Sequence, residues 1–256
     1  MESPVTHARA RALARGVVAL ALVSAGCSSR AAGGADAATT APERSVVALH
    51  VDGASKQRCS AVVVGARRLV TARHCVSDVR PGPFACDGGR LTLSLDGSGR
   101  FGRVKAPAAL AVVAGGRRLG AVERIVVGPD DAVVCGHDVA YLELDRDIEL
   151  PILATRADVP TAQEELGLIG IGASTDDVPV LRHGRLAEAT RGEDRGAELL
   201  LLVPSCPGDS GGAVVDASGR LLGIVSRGDS AMNGPEGSRC GPADGRTIAH
   251  RAISST

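Results

Sequence analysis

The chain has 256 residues, 44% of them apolar, enough to bury the core of one or two compact domains. Its 29 basic and 29 acidic residues cancel, and no basic run is interleaved with aromatics, which excludes the electrostatic footprint of a nucleic-acid-binding protein. Aromatics make up 1% and Trp is absent, so a core must be built from Val, Leu, Ile and Ala.

The N-terminus reads as an export signal. Arg9, Arg11 and Arg15 form a basic front, and Val17 to Val23 is an apolar stretch too short to span a bilayer permanently. It ends in Ser24-Ala25-Gly26-Cys27. Small residues directly before a Cys resemble a bacterial lipobox, whose Cys carries lipid and becomes the mature N-terminus. On this reading residues 1–26 are a signal peptide and residues 27–44, mostly Ala, Gly, Ser and Thr, are a flexible tether. The protein is then exported and membrane-anchored, on the periplasmic side or the cell surface. An ordinary secretory signal with an incidental Cys is the alternative. The cysteine count fits the anchor. Seven Cys is an odd number; without Cys27 six remain, Cys59, Cys75, Cys86, Cys135, Cys206 and Cys240. An even set suits disulfides in an oxidising compartment, with about 15 possible pairings. No Cys-x-x-Cys pair or His/Cys ligand cluster marks a zinc site, and no metal or cofactor is expected.

From Ser45 onward short apolar runs dominate: Val46–Leu49, Ala61–Val64, Leu91–Leu93, Val122–Val127, Val139–Leu144, Leu166–Ile171, Leu199–Val203, Ala213–Val215 and Leu221–Val225. They are mostly three to six residues long, rich in β-branched residues, and bounded by Gly, Pro, Asp or Ser, the pattern of strands rather than helices. The spacing predicts an all-β sandwich or barrel. A weaker boundary falls at 151–165, where Pro151, Pro160 and polar residues separate two halves, about 45–155 and about 156–256.

Three fragments carry chemistry: Thr71-Ala72-Arg73-His74-Cys75, His137-Asp138-Val139-Ala140-Tyr141-Leu142 and Cys206-Pro207-Gly208-Asp209-Ser210-Gly211-Gly212. They supply a base, an acid and a nucleophile. A serine hydroxyl needs an adjacent base to take its proton as it attacks a carbonyl, histidine titrates near neutrality, and a carboxylate can fix the imidazole tautomer. Singly, each has a plainer reading: Ser210 as a turn residue, His74 as a buried structural histidine, Asp138 as a solvated acid at a strand edge. Their joint order and context outweigh those readings.

In that order and context the chain, from about Ser45 to the end, resembles the chymotrypsin (trypsin-like) family of serine proteases. The histidine and aspartate patterns match with Arg73, His137 and Tyr141 as departures, Gly208 to Gly212 is intact, Gly223-Ile224-Val225-Ser226 matches the strand after the nucleophile, and Gly170-Ile171-Gly172 resembles a Gly-Trp-Gly motif without its Trp. The resemblance implies two six-stranded antiparallel β-barrels with the active site in the cleft between them. It implies Ser210 as nucleophile, His74 as general base, Asp138 as orienting carboxylate, and the N–H groups of Gly208 and Ser210 as an oxyanion hole. It further implies disulfides Cys59–Cys75 and Cys206–Cys240, leaving Cys86 with Cys135. Pro204, Ser226, Arg227, Gly228 and Gly245 would line the substrate pocket; Pro204 stands where an Asp would select Lys or Arg. The protein is expected to be a monomer acting on proteins or peptides as a serine endopeptidase.

No Ile-Val-Gly-Gly activation site precedes Ser45, so Asp209, whose family counterpart meets a freed N-terminus, is expected to find another partner or none. Two other readings remain. Gly208-x-Ser210-x-Gly212 also matches the nucleophile elbow of α/β-hydrolases. That fold needs a helix after the serine, where this chain predicts a hairpin turning at Asp216-Ala217-Ser218-Gly219. Arg73 and Arg227, in place of a small residue and a cleft Trp, would suit a catalytically silent, lipid-anchored binding module.

Overall fold

The computed structural model describes residues 41–51, 58–81, 98–129, 132–190, 198–229, 240 and 244–251. The N-terminal half contributes strands β1 (Val46–Val51), β2 (Arg58–Gly65), β3 (Arg68–Thr71), β4 (Ser77–Val79), β5 (Phe101–Val104), β6 (Leu110–Ala114), β7 (Arg117–Gly120), β8 (Val122–Val127) and β9 (Ala140–Leu144). A single helical turn, α1 (Arg73–Val76), follows β3. The C-terminal half contributes β10 (Glu165–Gly170), β11 (Val180–Ala189), β12 (Glu198–Leu202), β13 (Ala213–Val215), β14 (Leu221–Gly228) and β15 (Arg246–His250).

Pairing is antiparallel throughout the named strands. In the first half the order is β7-β6-β1-β2-β3-β9-β8, and the sheet curls until β8 comes back beside β6. In the second half β10-β11-β12-β15-β14-β13 close into a six-stranded barrel. The fold is therefore all-β with two antiparallel barrels and almost no helix, the chymotrypsin-like architecture expected above.

The apolar runs are continuous because the strands serve two cores, one on each face. Val47, Leu49 and Val51 of β1, Ala61 and Val63 of β2, and Leu142 and Leu144 of β9 fill the first barrel. Leu166 and Leu168 of β10, Leu199 and Leu201 of β12, and Val214 of β13 fill the second. The alternate residues, Val46, Val62 and Val70 from one side and Ile169, Ala213, Val215 and Ile224 from the other, form a third cluster that joins the barrels.

Eight of the nine predicted runs lie in strands; Leu91–Leu93 falls outside the described residues. The hairpin between β13 and β14 turns where expected. Asp216 Oδ1 accepts the N–H groups of Ser218 and Arg220, and Gly219 adopts φ +79°. A strand, not a helix, thus follows Ser210, which removes the nucleophile-elbow alternative. The strands without a sequence signal are above all β7 and β11, whose half-exposed faces carry Arg, His and Glu, and β15, whose residues after Arg246 are buried but include Thr247 and His250.

Candidate active site

β3 delivers the chain to α1 at the rim of the first barrel, and α1 carries His74. A disulfide between Cys59 of β2 and Cys75 ties this turn to the sheet. Asp138 lies two residues before β9 and is completely buried. Its Oδ1 accepts the backbone N–H of His74 at 2.8 Å, and its Oδ2 lies 2.8 Å from His74 Nδ1. Ser226 Oγ donates to the same Oδ2 at 2.6 Å. Burial, the largest influence on this carboxyl, favours the neutral form, but the charge and hydrogen bond of His74, the proximity of His250 and the Ser226 hydroxyl outweigh it and hold Asp138 well below the usual carboxylate range. An ionised carboxylate can only accept, so Nδ1 carries the imidazole proton and Nε2 is the free base.

The segment bearing Ser210 comes from the second barrel. Asp209 N–H donates to the Cys206 carbonyl at 3.0 Å, with Pro207 and Gly208 at the corner. Gly208 adopts φ +107°, the second corner position of a type II turn, which glycine accepts without strain. Asp209 is sealed beneath it. Its Oδ1 accepts the Gly172 N–H at 2.9 Å; its Oδ2 accepts the Cys206 N–H at 2.6 Å and pairs with the Arg182 guanidinium of β11. Gly170 and Gly172 make the room, since a Cβ on either would fall 2.4 Å or 2.8 Å from Asp209 Oδ1. Asp209 has therefore found another partner, an internal arginine.

Ser60 of β2 fastens this loop to the first barrel. Its N–H donates to the Ser210 carbonyl at 2.7 Å, its Oγ donates to the Gly208 carbonyl at 2.8 Å, and the same Oγ accepts the Ile171 N–H at 3.0 Å. Cys75 Sγ also lies 3.9 Å from the Ser210 carbonyl, so the turns carrying His74 and Ser210 touch. With both carbonyls engaged on this side, the Gly208 and Ser210 N–H groups have no hydrogen-bond partner among the described residues. Ser210 Oγ donates to the Ser226 carbonyl at 3.4 Å, and no His74–Ser210 hydrogen bond is formed.

At the expected substrate pocket, the Pro204–Ser205 segment, the end of β14 and the start of β15 converge. A Cβ on Gly228 would lie 1.9 Å from Ser205 Oγ and 3.1 Å from the Arg246 carbonyl, and Gly245 is buried at the mouth of β15. Cys206 and Cys240 form a disulfide here. Cys135 is also disulfide-bonded, while Cys86, its expected partner, lies outside the described residues, as does Cys27. Arg227 departs from expectation. Its side chain is buried and bidentate to Glu198 rather than lining the cleft, because the buried carboxylate of β12 offers it a charge partner that solvent-facing Trp positions do not need. Arg73 is likewise buried, with its guanidinium 4.3 Å from the Phe101 ring and Nη1 donating to the Pro129 carbonyl at 2.7 Å. Cys59, His74 and Cys75 gather closely enough to suggest a metal site, but the disulfide consumes both sulfurs and leaves a lone imidazole.

Four residues of this region had no sequence signal: Ser60, Arg182, Glu198 and His250. Ser60 alone left a trace, as a hydroxyl inside the apolar run that follows Cys59. Arg182 and His250 sit in strands whose polar residues read as surface, and Glu198 opens the apolar strand β12, where a charge at a strand end reads as solvated.

The trypsin-like peptidase domain matches residues 59–224, well over half of the chain. No curated protein sequence matches. Among solved structures, the active form of the Rv3671c protease from M. tuberculosis is 19% identical with a TM-score of 0.53, over 82% of this chain and 77% of that one. Its inactive form is 18% identical with a TM-score of 0.51, over 82% and 85%. The secreted serine protease VesC from Vibrio cholerae is 20% identical with a TM-score of 0.55, over 81% of this chain and 43% of that one. At these identities the structures share the fold, and the family assignment rests on the matched domain: the chain belongs to the trypsin-like peptidase family.

Proposed function

We propose that this peptidase is a serine endopeptidase that cleaves peptide bonds through an acyl-enzyme. Ser210 Oγ attacks the carbonyl carbon while His74 Nε2 takes its proton, and the carbonyl electron pair moves to oxygen, against the N–H groups of Gly208 and Ser210. Collapse breaks the C–N bond as His74 returns the proton to the departing amine. Water then repeats the sequence on the ester. Asp138 stays ionised and stabilises the imidazolium. The observation that carries this reading is the two-sided hold of buried Asp138 on His74, beside a turn whose two N–H groups, without a hydrogen-bond partner among the described residues, can take an oxyanion. The test is hydrolysis of a mixed peptide library by the purified protein. Cleavage lost in Ser210→Ala and His74→Ala supports the mechanism; equal cleavage by either variant contradicts it.

The Ser210 hydroxyl rests on the Ser226 carbonyl rather than on His74, which favours a second reading, a silent protease-like binding module. Hydrogen bonds between a nucleophile and its base are often long or misaligned without substrate and tighten only when it is bound. The Arg182–Asp209 pair supports activity without N-terminal processing, because it supplies the cation that otherwise has to arrive with a new N-terminus. Substrates are proteins or peptides, and strict selection for Lys or Arg is disfavoured by Pro204. Export and lipidation at Cys27 remain part of the proposal, with residues 1–26 as signal peptide, 27–44 as tether and 45–256 as the protease domain. Metabolic labelling with an alkyne fatty acid should mark the wild-type chain and not Cys27→Ser; labelling of both would refute the anchor.

A further inference from the structure

Behind Asp138 lies an ionic cluster that the catalytic reading does not use. Glu198 opens β12, Arg227 lies near the end of β14, and His250 ends β15; all three are buried. Arg227 Nη1 and Nη2 donate to the two Glu198 oxygens, each at 3.0 Å. His250 Nε2 stands 3.3 Å from Glu198 Oε1. The cluster reaches out of its own barrel. Gly136 N–H donates to Glu198 Oε1 at 3.1 Å, and Arg227 Nη2 lies 3.5 Å from Cys135 Sγ, both on the loop that leads into Asp138. Arg227 Nη1 also donates at 3.4 Å to Ser226 Oγ, the hydroxyl that donates to Asp138.

As a source of stability such a pair is poor, since desolvating two charges offsets most of their attraction and apolar residues would serve as well. Its contacts have a direction instead: one arm ends on Ser226, whose hydroxyl donates to the Asp138 carboxylate, and the other on Gly136 and Cys135 of the loop that leads into Asp138. We infer that Glu198, together with Arg227, is a positioning residue for the His74–Asp138 pair, gripping the first-barrel loop 134–138 from the second barrel and fixing the carboxylate against the imidazole. The inference rests on the catalytic reading above.

The charged and titratable groups around Asp138 and this cluster are Arg227 from β14, Glu198 from β12, His250 from β15, and His74 and His137 from the first barrel; the Arg73 guanidinium turns instead to the Phe101 ring and the Pro129 carbonyl. Burial, the largest influence, lowers the His250 pKa against the pull of Glu198 and Asp138, so this ring stays neutral at pH 7 and the Glu198 and Arg227 charges balance. Removing one leaves the other acting on the pair through low-dielectric protein.

The test compares wild type, Glu198→Gln, Arg227→Met and the double variant Glu198→Leu/Arg227→Met, which fills the site without charge and keeps the comparison possible if a single variant fails to fold. Two signals are followed against pH: kcat/KM on a peptide, and the downfield proton NMR signal of His74 Nδ1–H, which needs no turnover. In Glu198→Gln and in Arg227→Met the pH profiles of both signals depart from wild type, because the charge left behind is unbalanced beside the pair. In the double variant they return, yet kcat stays down about tenfold or more with KM unchanged, and the Nδ1–H signal broadens. A folded double variant with wild-type kcat and an unchanged Nδ1–H signal overturns the inference. A wild type that turns over no peptide, but whose Nδ1–H signal responds to Glu198→Gln, removes the proposed activity and leaves the positioning role standing.

Discussion

At the scale of single residues the site is dominated by ionisable groups taken out of water. Asp138 tolerates burial because three donors point at it, the N–H and Nδ1–H of His74 and the hydroxyl of Ser226. His250 tolerates it by staying neutral. Both shifts are downward, so both make the folded state bind fewer protons than the unfolded chain in acid. For His250 the unfolded ring takes up a proton below its ordinary value of 6.5 while the folded ring does not, so its contribution to stability is complete above that value and is lost as pH falls below it. Asp138 adds a second loss below its ordinary value of 3.8. Denaturant unfolding between pH 7 and 5 should therefore show stability falling as the pH drops, by at most about 1.4 kcal/mol per pH unit from this one ring. In His250→Gln that slope should flatten. An equally steep slope in the variant would show that another group is responsible.

At the scale of elements, the strands place these residues through alternation and close approach. Gly211 is the tightest of these approaches. It has φ +83°, and a Cβ there would lie 2.1 Å from the Ser60 carbonyl oxygen and 2.2 Å from Thr71 Oγ1. Gly211→Ala should wedge β13 away from β2 and β3 and destabilise the fold by about 3 kcal/mol or more, read by urea denaturation; a loss below about 1 kcal/mol would mean the contact relaxes freely. The same elements explain what the sequence discloses. β1, β2, β10 and β12 announce themselves because most of their residues are buried on both faces, and β9 because its buried Ala140, Leu142 and Leu144 alternate with half-buried Tyr141 and Glu143. β11 and β15 do not, since Arg182 and His250 make them look like surface although each side chain meets a buried carboxylate. The residues proposed to react are legible because His74, Asp138 and Ser210 sit in fixed local contexts. Their supports, Ser60, Arg182 and Glu198, act across the chain, and long-range pairing leaves no local mark. Arg227 shows the cost of inferring a role from position alone: a residue expected in the cleft turned inward to Glu198.

For the whole molecule, the cleft is made by two barrels that each hold part of the other's chemistry. Ser60 of the first barrel secures the turn bearing Ser210, while Ser226 and Glu198 of the second secure the loop bearing Asp138. Arg182 pairs with Asp209 from within the same barrel, so on the function proposed above the site needs no new N-terminus. The central claim is thus an activated serine in a site assembled without processing. Its most direct test is reaction of the uncleaved protein with a fluorophosphonate, followed by peptide mass spectrometry. The account predicts a phosphonyl adduct on the peptide containing Ser210, absent from Ser210→Ala and strongly reduced in Arg182→Met. A folded, disulfide-bonded wild-type protein that takes up no probe, or takes it up only after its N-terminus is cut, would contradict it.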